Sequence, residues 1–105
     1  MSDRKSVLVE AEGLVHGDRN ADYGHPLDDF SRTAQLWTAL FGREFTAEEV
    51  GLAMCCVKLS RQVNRPKRDN MTDLAGYAET VQWCIDERRD REHLAETFHP
   101  LKGSP

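Results

Sequence analysis

Four charged side chains of opposite sign stand close together in the sequence, two on each side of a short basic segment. Lys58 and Arg61 precede the segment 65–68, and Asp69 and Asp73 follow it. Residues three or four apart share one face of a helix, so each pair projects in a single direction. An antiparallel helical hairpin would bring the end of one helix to the start of the next. The spacing therefore predicts that the four charges meet at the turn.

This charge cluster has two interpretations. In the functional one, the cluster is an anion or metal–anion site, and Lys58 and Arg61 contact phosphate oxygens, which suit ammonium and guanidinium groups. Asp69 and Asp73 then hold Mg²⁺, which prefers oxygen ligands. The N-terminus of the second helix adds partial positive charge. In the structural interpretation the four residues are ion pairs that fix the register of the hairpin, and Asp69 is only a helix cap.

The polar segment 16–26 carries a second group of residues with chemical potential. Arg19 can bind phosphate, Tyr23 can stack on a base, and His25 can act as a catalytic general acid or base near neutral pH. Asp22 belongs to the same group of candidate binding residues. The alternative is a connector whose aspartates make turn and cap hydrogen bonds, and whose histidine opens the next helix.

Helical periodicity recurs along the chain and no stretch alternates convincingly with period two, so an all-α fold is predicted. Pro26 suits a first helical turn, and the apolar stripe that follows it ends at Gly42. Thr46 and Glu49 have the spacing of a capping box, and Pro66 ends that helix. The predicted helices cover residues 3–15, 26–41, 46–65 and 69–88, and they form an antiparallel bundle.

Residues 1–88 are predicted to be one helical domain. Residues 89–105 are a charged tail, with a short helix over 90–97 and disorder beyond it. Helices of this length cannot enclose a large core alone, so a homodimer or higher oligomer is expected. The aromatic residues on the apolar stripes are assigned to the core or the dimer interface. They are Phe30, Trp37, Phe41 and Trp83.

Composition excludes several classes of function. The chain has 105 residues, 39% hydrophobic and 30% charged, with a net charge of −4 and no dominant basic stripe, so duplex nucleic acid is not an expected partner. The three cysteines lack zinc-site spacing and read as reduced thiols of a cytoplasmic protein. No signal peptide or apolar run of membrane-spanning length is present, so no membrane partner is expected.

Residues 50–80 resemble the all-α nucleotide pyrophosphohydrolases, the MazG-like and dCTP-pyrophosphatase-like group. The signature of that group is E-x-x-E on one helix and E-x-x-D on the next, followed by apolar residues and a tyrosine. Asp73 stands at the aspartate position, Asn70 at the second helix's glutamate position, and Tyr77 at the tyrosine. Lys58 and Arg61 replace both glutamates of the first helix, and the interval from Arg61 to Asn70 is shorter than in the family.

The resemblance implies a MazG-like bundle that binds a nucleotide, with Tyr77 among the substrate-binding residues. Its catalytic version is a nucleoside triphosphate pyrophosphohydrolase that needs Mg²⁺, with Asp73 as a catalytic residue. In that version Lys58 and Arg61 bind the phosphates of the nucleotide substrate. The loop around Asp22, Tyr23 and His25 closes over the nucleotide. Two cations at carboxylate positions would repel that metal, so other acids must complete the site, and Glu49 is the one assigned here. The remaining acids in reach of this role are Glu48 of the third helix, Asp28 and Asp29 of the second, and Asp18 and Asp22 of the loop.

Residues 8–85 also resemble small proteins of actinobacterial phages that have no assigned activity. The shared features are the loop Gly-Asp-Arg-x-x-Asp-Tyr-Gly-His-Pro, the tryptophan of the second helix, and the pattern Lys-x-x-Arg…Asp-x-x-x-Asp-x-x-Gly-Tyr. This resemblance implies a phage protein in the host cytoplasm. It also keeps open a non-catalytic alternative, a helical protein that binds a host or phage protein and uses the charge cluster as structural salt bridges.

Overall fold

The structure is a computed structural model that describes residues 4–17 and 22–97. Four helices of ten residues or more occupy these ranges, and no strand is found within them. The helices are α1 (Val7–His16), α2 (Pro26–Phe41), α3 (Ala47–Asn64) and α4 (Arg68–Thr97). The all-α prediction is confirmed. None of these helices is long and apolar enough to cross a bilayer.

Local capping residues set most of the helix ends. The Thr46 side chain accepts from the Glu49 amide while the Glu49 side chain accepts from the Thr46 amide, so the predicted capping box begins α3. Gly42 ends α2 in the left-handed conformation at φ 70°, which glycine adopts without strain. The Ser6 hydroxyl accepts from the Leu8 amide. This cap begins α1 at Val7, four residues later than predicted.

The last helix differs from its prediction at both ends. It begins at Arg68, so Asp69 lies in the first turn and is not the N-cap. It continues without a break to Thr97, so the predicted end near Arg88 and the separate helix over 90–97 are wrong. No glycine or proline interrupts the sequence from 77 to 97, and Arg91 is held by Glu87 and by Asp28 of α2. The predicted disordered end, residues 98–105, lies outside the described residues.

Helix α4 is the central element, and the other three helices all pack against it. α3 and α4 form an antiparallel hairpin, joined by an ion pair from Lys58 to Asp73 near the turn and from Glu48 to Arg88 at the far end. α1 runs in the same direction as α4, because Glu10 pairs with Arg68 and His16 pairs with Glu79. α3 is therefore antiparallel to α4, whereas α1 is parallel to it.

The core lies between α2, α3 and α4. Its buried members are Leu27, Phe30, Ala34, Ala47, Val50 and Cys84, with Trp37, Phe45 and Tyr77 packed against them. The predictions for Phe30 and Trp37 are confirmed, whereas the Phe41 side chain at the end of α2 is largely exposed. Cys84 is fully buried, and burial raises the pKa of its thiol to about 11. That thiol stays protonated at neutral pH and does not serve as a nucleophile.

Gly51 marks a close approach of α3 to its neighbours. A Cβ atom at this position would lie 2.4 Å from Cγ2 of Val81 on α4 and 3.3 Å from Cε2 of Phe30 on α2. No side chain fits in that space unless the Val81 side chain or the backbone shifts. The absence of a side chain here allows the hairpin to close, and closure places the start of α4 beside the end of α3.

Candidate functional site

An open cleft of about 620 Å³ lies at the turn between α3 and α4. The last two turns of α3 form one wall, and the first turns of α4 form the other. The two predicted cations and the two predicted carboxylates all line this cleft, so the structure brings the four together. The lining residues are Lys58, Ser60, Arg61, Asn64, Arg65, Lys67, Asp69, Asn70 and Asp73.

Only one of the predicted charge pairs forms. Nζ of Lys58 lies 3.0 Å from Oδ2 of Asp73, and the Lys58 side chain is only 13% exposed. This contact is the structural ion pair of the alternative interpretation. Arg61 and Asp69 are exposed, and neither makes an ion pair with any other residue in the described part of the chain. One cation and one carboxylate are thus committed to each other, and the other two are available.

The cleft carries an excess of positive charge. Four of its lining side chains are cationic, Lys58, Arg61, Arg65 and Lys67, against the two aspartates. Arg61, Arg65 and Lys67 form no ion pair within residues 4–17 and 22–97. The unsatisfied amides and the partial positive charge at the N-terminus of α4 add to them. Both features favour a negatively charged ligand.

The turn itself is organised by Gln62 and Asn70. Oε1 of Gln62 accepts from the Lys67 amide at 3.0 Å and from Nδ2 of Asn70 at 3.1 Å. Asn70 is 7% exposed, and the same Nδ2 lies 3.5 Å from the Arg65 carbonyl oxygen. The residue at the position of a pyrophosphohydrolase glutamate therefore closes the turn. The sequence analysis missed Gln62, although a polar pair on either side of a proline turn is a recognisable signal.

Asn70→Asp is expected to lower the free energy of unfolding by about 2 kcal/mol, because the new carboxylate would face two acceptor oxygens in a buried position. Rotating the Gln62 amide would satisfy the carboxylate only by taking the acceptor away from the Lys67 amide. Urea denaturation followed by circular dichroism measures the change. Asn64→Asp, the same substitution at an exposed cleft residue, is the control. Equal stability of the two variants would contradict the assigned role of Asn70.

The structure does not bring Glu49 to the other predicted metal ligands. Glu49 caps the start of α3 and pairs with Arg43 at 2.9 Å, and its hydrogen bond from Arg43 lowers the pKa of its carboxyl group. It precedes Lys58 by nine residues, about 13 Å along the helix axis. Among the described residues, no group of three or more His, Cys, Asp or Glu side chains is arranged to hold a metal ion. Mg²⁺ at Asp69 and Asp73 stays a prediction, but these residues do not form a complete cage.

His25 is the N-cap residue of α2 and lies away from the cleft. Its Nδ1 accepts from the Leu27 amide at 3.0 Å, so the neutral ring carries its proton on Nε2. Nε2 is buried, has no hydrogen-bond partner among the described residues, and lies 3.6 Å from Oε1 of Glu87. The His25 ring packs on the Trp83 ring, with 4.5 Å between the ring centroids. Trp83 follows Asp73 by ten residues, about 15 Å along α4. The two predicted catalytic residues are therefore not brought together.

The other predicted residues of the polar segment 16–26 do not lie together at the cleft. Tyr23 and Tyr77 line one small cavity together beside Phe30. Asp22 is exposed, and Arg19 lies outside the described residues. The structure therefore joins the two tyrosines but does not place Asp22 in the cleft.

His16 has partners that the sequence analysis did not anticipate. Its Nε2 lies 2.7 Å from Oε2 of Glu79, and its ring packs on Trp83 at 4.3 Å. His16 is exposed, and it meets these partners because α1 lies parallel to α4 and its last residue reaches this face. His16 and His25 thus contact the same tryptophan.

Comparison with known proteins places the chain in a family. The profile of a domain of unknown function, DUF6378, matches residues 6–85. The chain belongs to the DUF6378 family. This DUF6378 chain is 37% identical over 102 residues to the Gene 55 protein of Mycobacterium phage D29, covering 96% of its own length and 60% of the relative. It is 40% identical over 88 residues to the Gene 55 protein of Mycobacterium phage L5, covering 79% and 56% respectively.

The DUF6378 chain therefore spans somewhat more than half the length of these two relatives. The predicted kinship with proteins of actinobacterial phages is confirmed at the level of mycobacteriophage proteins. No solved structure matches the chain. The resemblance to MazG-like pyrophosphohydrolases finds no support in these comparisons.

Proposed function

We propose that this DUF6378 chain is a nucleotide-binding protein that holds the phosphates of a nucleoside triphosphate in the cleft at the α3–α4 turn. One observation carries the proposal. Arg61, Arg65 and Lys67 line a single cleft and make no ion pair with the described residues. The relatives are phage proteins, so the proposed place of action is the cytoplasm of an infected host.

Several cations in one cleft suit the multiple charges of a triphosphate better than a neutral or singly charged ligand. Guanidinium groups bind phosphate oxygens through two parallel hydrogen bonds, and a triphosphate offers enough oxygens for Arg61, Arg65 and Lys67 at once. The α4 N-terminus supplies further donors. The whole chain has a net charge of −4, so this local excess of positive charge is a particular feature of the cleft.

Hydrolysis of the bound nucleotide is a further part of the proposal, and it rests on the MazG-like resemblance. It would need Asp69 and Asp73 to hold Mg²⁺ and Asp73 to serve as a catalytic residue. The Lys58–Asp73 pair occupies one oxygen of that carboxylate, and Asn70 is used by the turn. We therefore place nucleotide binding first and make the release of pyrophosphate a readout of the test.

Isothermal titration calorimetry with nucleoside triphosphates and with inorganic triphosphate tests the proposal. We expect a dissociation constant on the order of 10–100 μM, about −6 kcal/mol, for at least one nucleotide. Binding should weaken strongly between 0.05 and 0.3 M NaCl, about tenfold, because the contacts are ionic. An absence of binding up to millimolar concentration would contradict the proposal. Pyrophosphate release that requires Mg²⁺ and is lost in Asp73→Asn would support the hydrolytic version.

A second candidate function, protein–protein interaction, is favoured by the outer face of α3. Four apolar residues recur there at 4-3-4 spacing, which is the seam pattern of a coiled coil. Leu52 is 54% exposed, Leu59 49% and Val63 87%, and Cys56 is also exposed. The neighbouring positions that would flank a partner helix carry no charge. They are Ala53, Cys55, Ser60 and Gln62.

We propose that a second copy of the chain covers this α3 seam and forms a homodimer. Leu59→Glu should convert the dimer to a monomer, because it places a charge in the centre of the seam. Gln35→Glu makes the same change in charge on an exposed position of α2 and should have no effect. Light scattering after gel filtration should give twice the 12.0 kDa chain mass for the wild type. A monomeric wild type would contradict the homodimer and leave a host or phage protein as the partner of the seam.

A further inference from the structure

We infer that the groove between α1 and α4 takes the nucleoside part of the bound nucleotide, while the phosphates lie in the cleft at the turn. This inference rests on the proposed function and extends it to the sugar and the base. The groove has a volume of about 500 Å³, which falls within the usual range for small-molecule sites. Its lining residues are Ala11, Gly13, Leu14, Val15, Gly17, Thr72, Asp73, Gly76, Tyr77 and Thr80.

The groove exists because α1 is fastened to α4 near its two ends. Glu10 pairs with Arg68 at 2.9 Å, and His16 pairs with Glu79 at 2.7 Å. Between these contacts, Gly13 on α1 and Gly76 on α4 have no side chains to fill the space. A Cβ on Gly13 would meet no atom within 4 Å, and one on Gly76 would just touch Val15 at 3.4 Å. α1 and α4 are therefore joined near both ends of α1, and the space between these contacts is open.

Asp73 connects the groove to the cationic cleft, since it lines both. Nζ of Lys58 lies 3.0 Å from Oδ2 of Asp73, and the Asp73 side chain as a whole is 38% exposed, so the carboxylate keeps a solvent-facing side. A carboxylate repels phosphate but accepts hydrogen bonds from sugar hydroxyl and base amino groups. A nucleotide that lies across Asp73 would thus have its phosphates on the side of Arg61 and Arg65 and its neutral part on the groove side.

The polar groups of the groove complement hydrogen-bond donors. The Thr80 hydroxyl donates to the Gly76 carbonyl at 2.8 Å, and the Thr72 hydroxyl donates to the Arg68 carbonyl at 3.4 Å. Each hydroxyl oxygen keeps lone pairs that can accept, but Thr72 and Thr80 are only 2% and 8% exposed, so the Asp73 carboxylate is the more accessible acceptor. Tyr77 and the half-exposed Leu14 provide apolar surface for the faces of a base. A nucleoside, with hydroxyl and amino donors around a flat ring, fits this combination.

Gly13→Leu is the sharpest test, because Gly13 lines the groove and a Cβ there would meet no atom within 4 Å. It also replaces a helical glycine, so it should not lower the melting temperature. We expect it to weaken binding of a nucleoside triphosphate by about tenfold or more and to leave binding of inorganic triphosphate unchanged. Val9→Leu, on an exposed position of α1 that does not line the groove, should change neither.

A comparison of ligands on the wild-type protein gives a second test that depends on no variant. The nucleoside triphosphate should bind about tenfold more tightly than inorganic triphosphate. Equal affinities, with no effect of Gly13→Leu, would overturn the inference and leave the phosphate cleft intact. If neither ligand binds, the proposed function fails and the inference fails with it.

Discussion

Replacement of both Arg61 and Arg65 by alanine is expected to weaken binding of a nucleoside triphosphate by about a hundredfold. A hydrogen bond to a charged group contributes about 1.5–3 kcal/mol, and the lower end applies in an exposed cleft, where about 1.4 kcal/mol is a factor of ten. Both side chains are exposed and form no ion pair with the described residues, so the fold should be unaffected. Calorimetric titration of the double variant, alongside its melting temperature, measures both effects.

The matched control is Arg32→Ala with Arg89→Ala, which removes the same charge from exposed positions elsewhere. Arg32 lies on α2, and Arg89 follows Asp73 by about 24 Å along α4. We expect this control to bind the nucleotide within about threefold of the wild type, because screening weakens charges at that distance. If the control weakened binding as much as the cleft variant, the effect would belong to net charge and not to the cleft.

Gly51→Ala is expected to destabilise the fold by about 2 kcal/mol, the largest effect of any single methyl group added to a helix here. Alanine normally stabilises a helix relative to glycine by about 1 kcal/mol, so the expected sign is reversed by packing. The new Cβ would lie 2.4 Å from Cγ2 of Val81. Thermal or urea unfolding followed by circular dichroism measures the change, expected as a loss of about 10 °C in melting temperature.

Two further variants isolate the cause. Gly13→Ala adds the same methyl group where nothing lies within 4 Å, and it should raise the melting temperature. Val81→Ala removes the atom that the methyl group added by Gly51→Ala would meet. The double variant should therefore lose less free energy of unfolding than the two single variants lose in sum. A Gly51→Ala protein as stable as Gly13→Ala would show that α3 and α4 do not approach closely at this residue.

The existence of the four helices could be predicted because each has local signals that tertiary packing does not override. Thr46 with Glu49 and Gly42 mark helix ends through their own hydrogen bonds and backbone angles. The length of α4 could not be predicted from apolar spacing, since that spacing stops near Ile85. Beyond it the helix is sustained by charged contacts, from Arg91 to Glu87 and to Asp28, and the sequence does not show the second of these.

The convergence of charges at the α3–α4 turn could be predicted, but the choice of partners could not. Helical spacing shows that Lys58 and Arg61 share a face, yet only Lys58 reaches a carboxylate. Glu49 is predicted as a metal ligand and His25 as a general acid or base, although both have a competing local role. Each uses its side chain to cap a helix, and a cap fixes it at a helix start. The parallel docking of α1, and with it the groove, depends on the pairs Glu10–Arg68 and His16–Glu79, whose partners are too far apart in the sequence for any local signal to reveal them.

The most direct test of the phosphate cleft is a titration of ¹⁵N-labelled protein with inorganic triphosphate, followed through the backbone amide signals. The account predicts that the largest and saturable shift changes fall on residues 58–73, with those of Arg61, Arg65 and Lys67 prominent among them. A nucleoside triphosphate should add changes along α1 and at Gly76. Saturable changes that fall elsewhere on the molecule, or none at all, would contradict it.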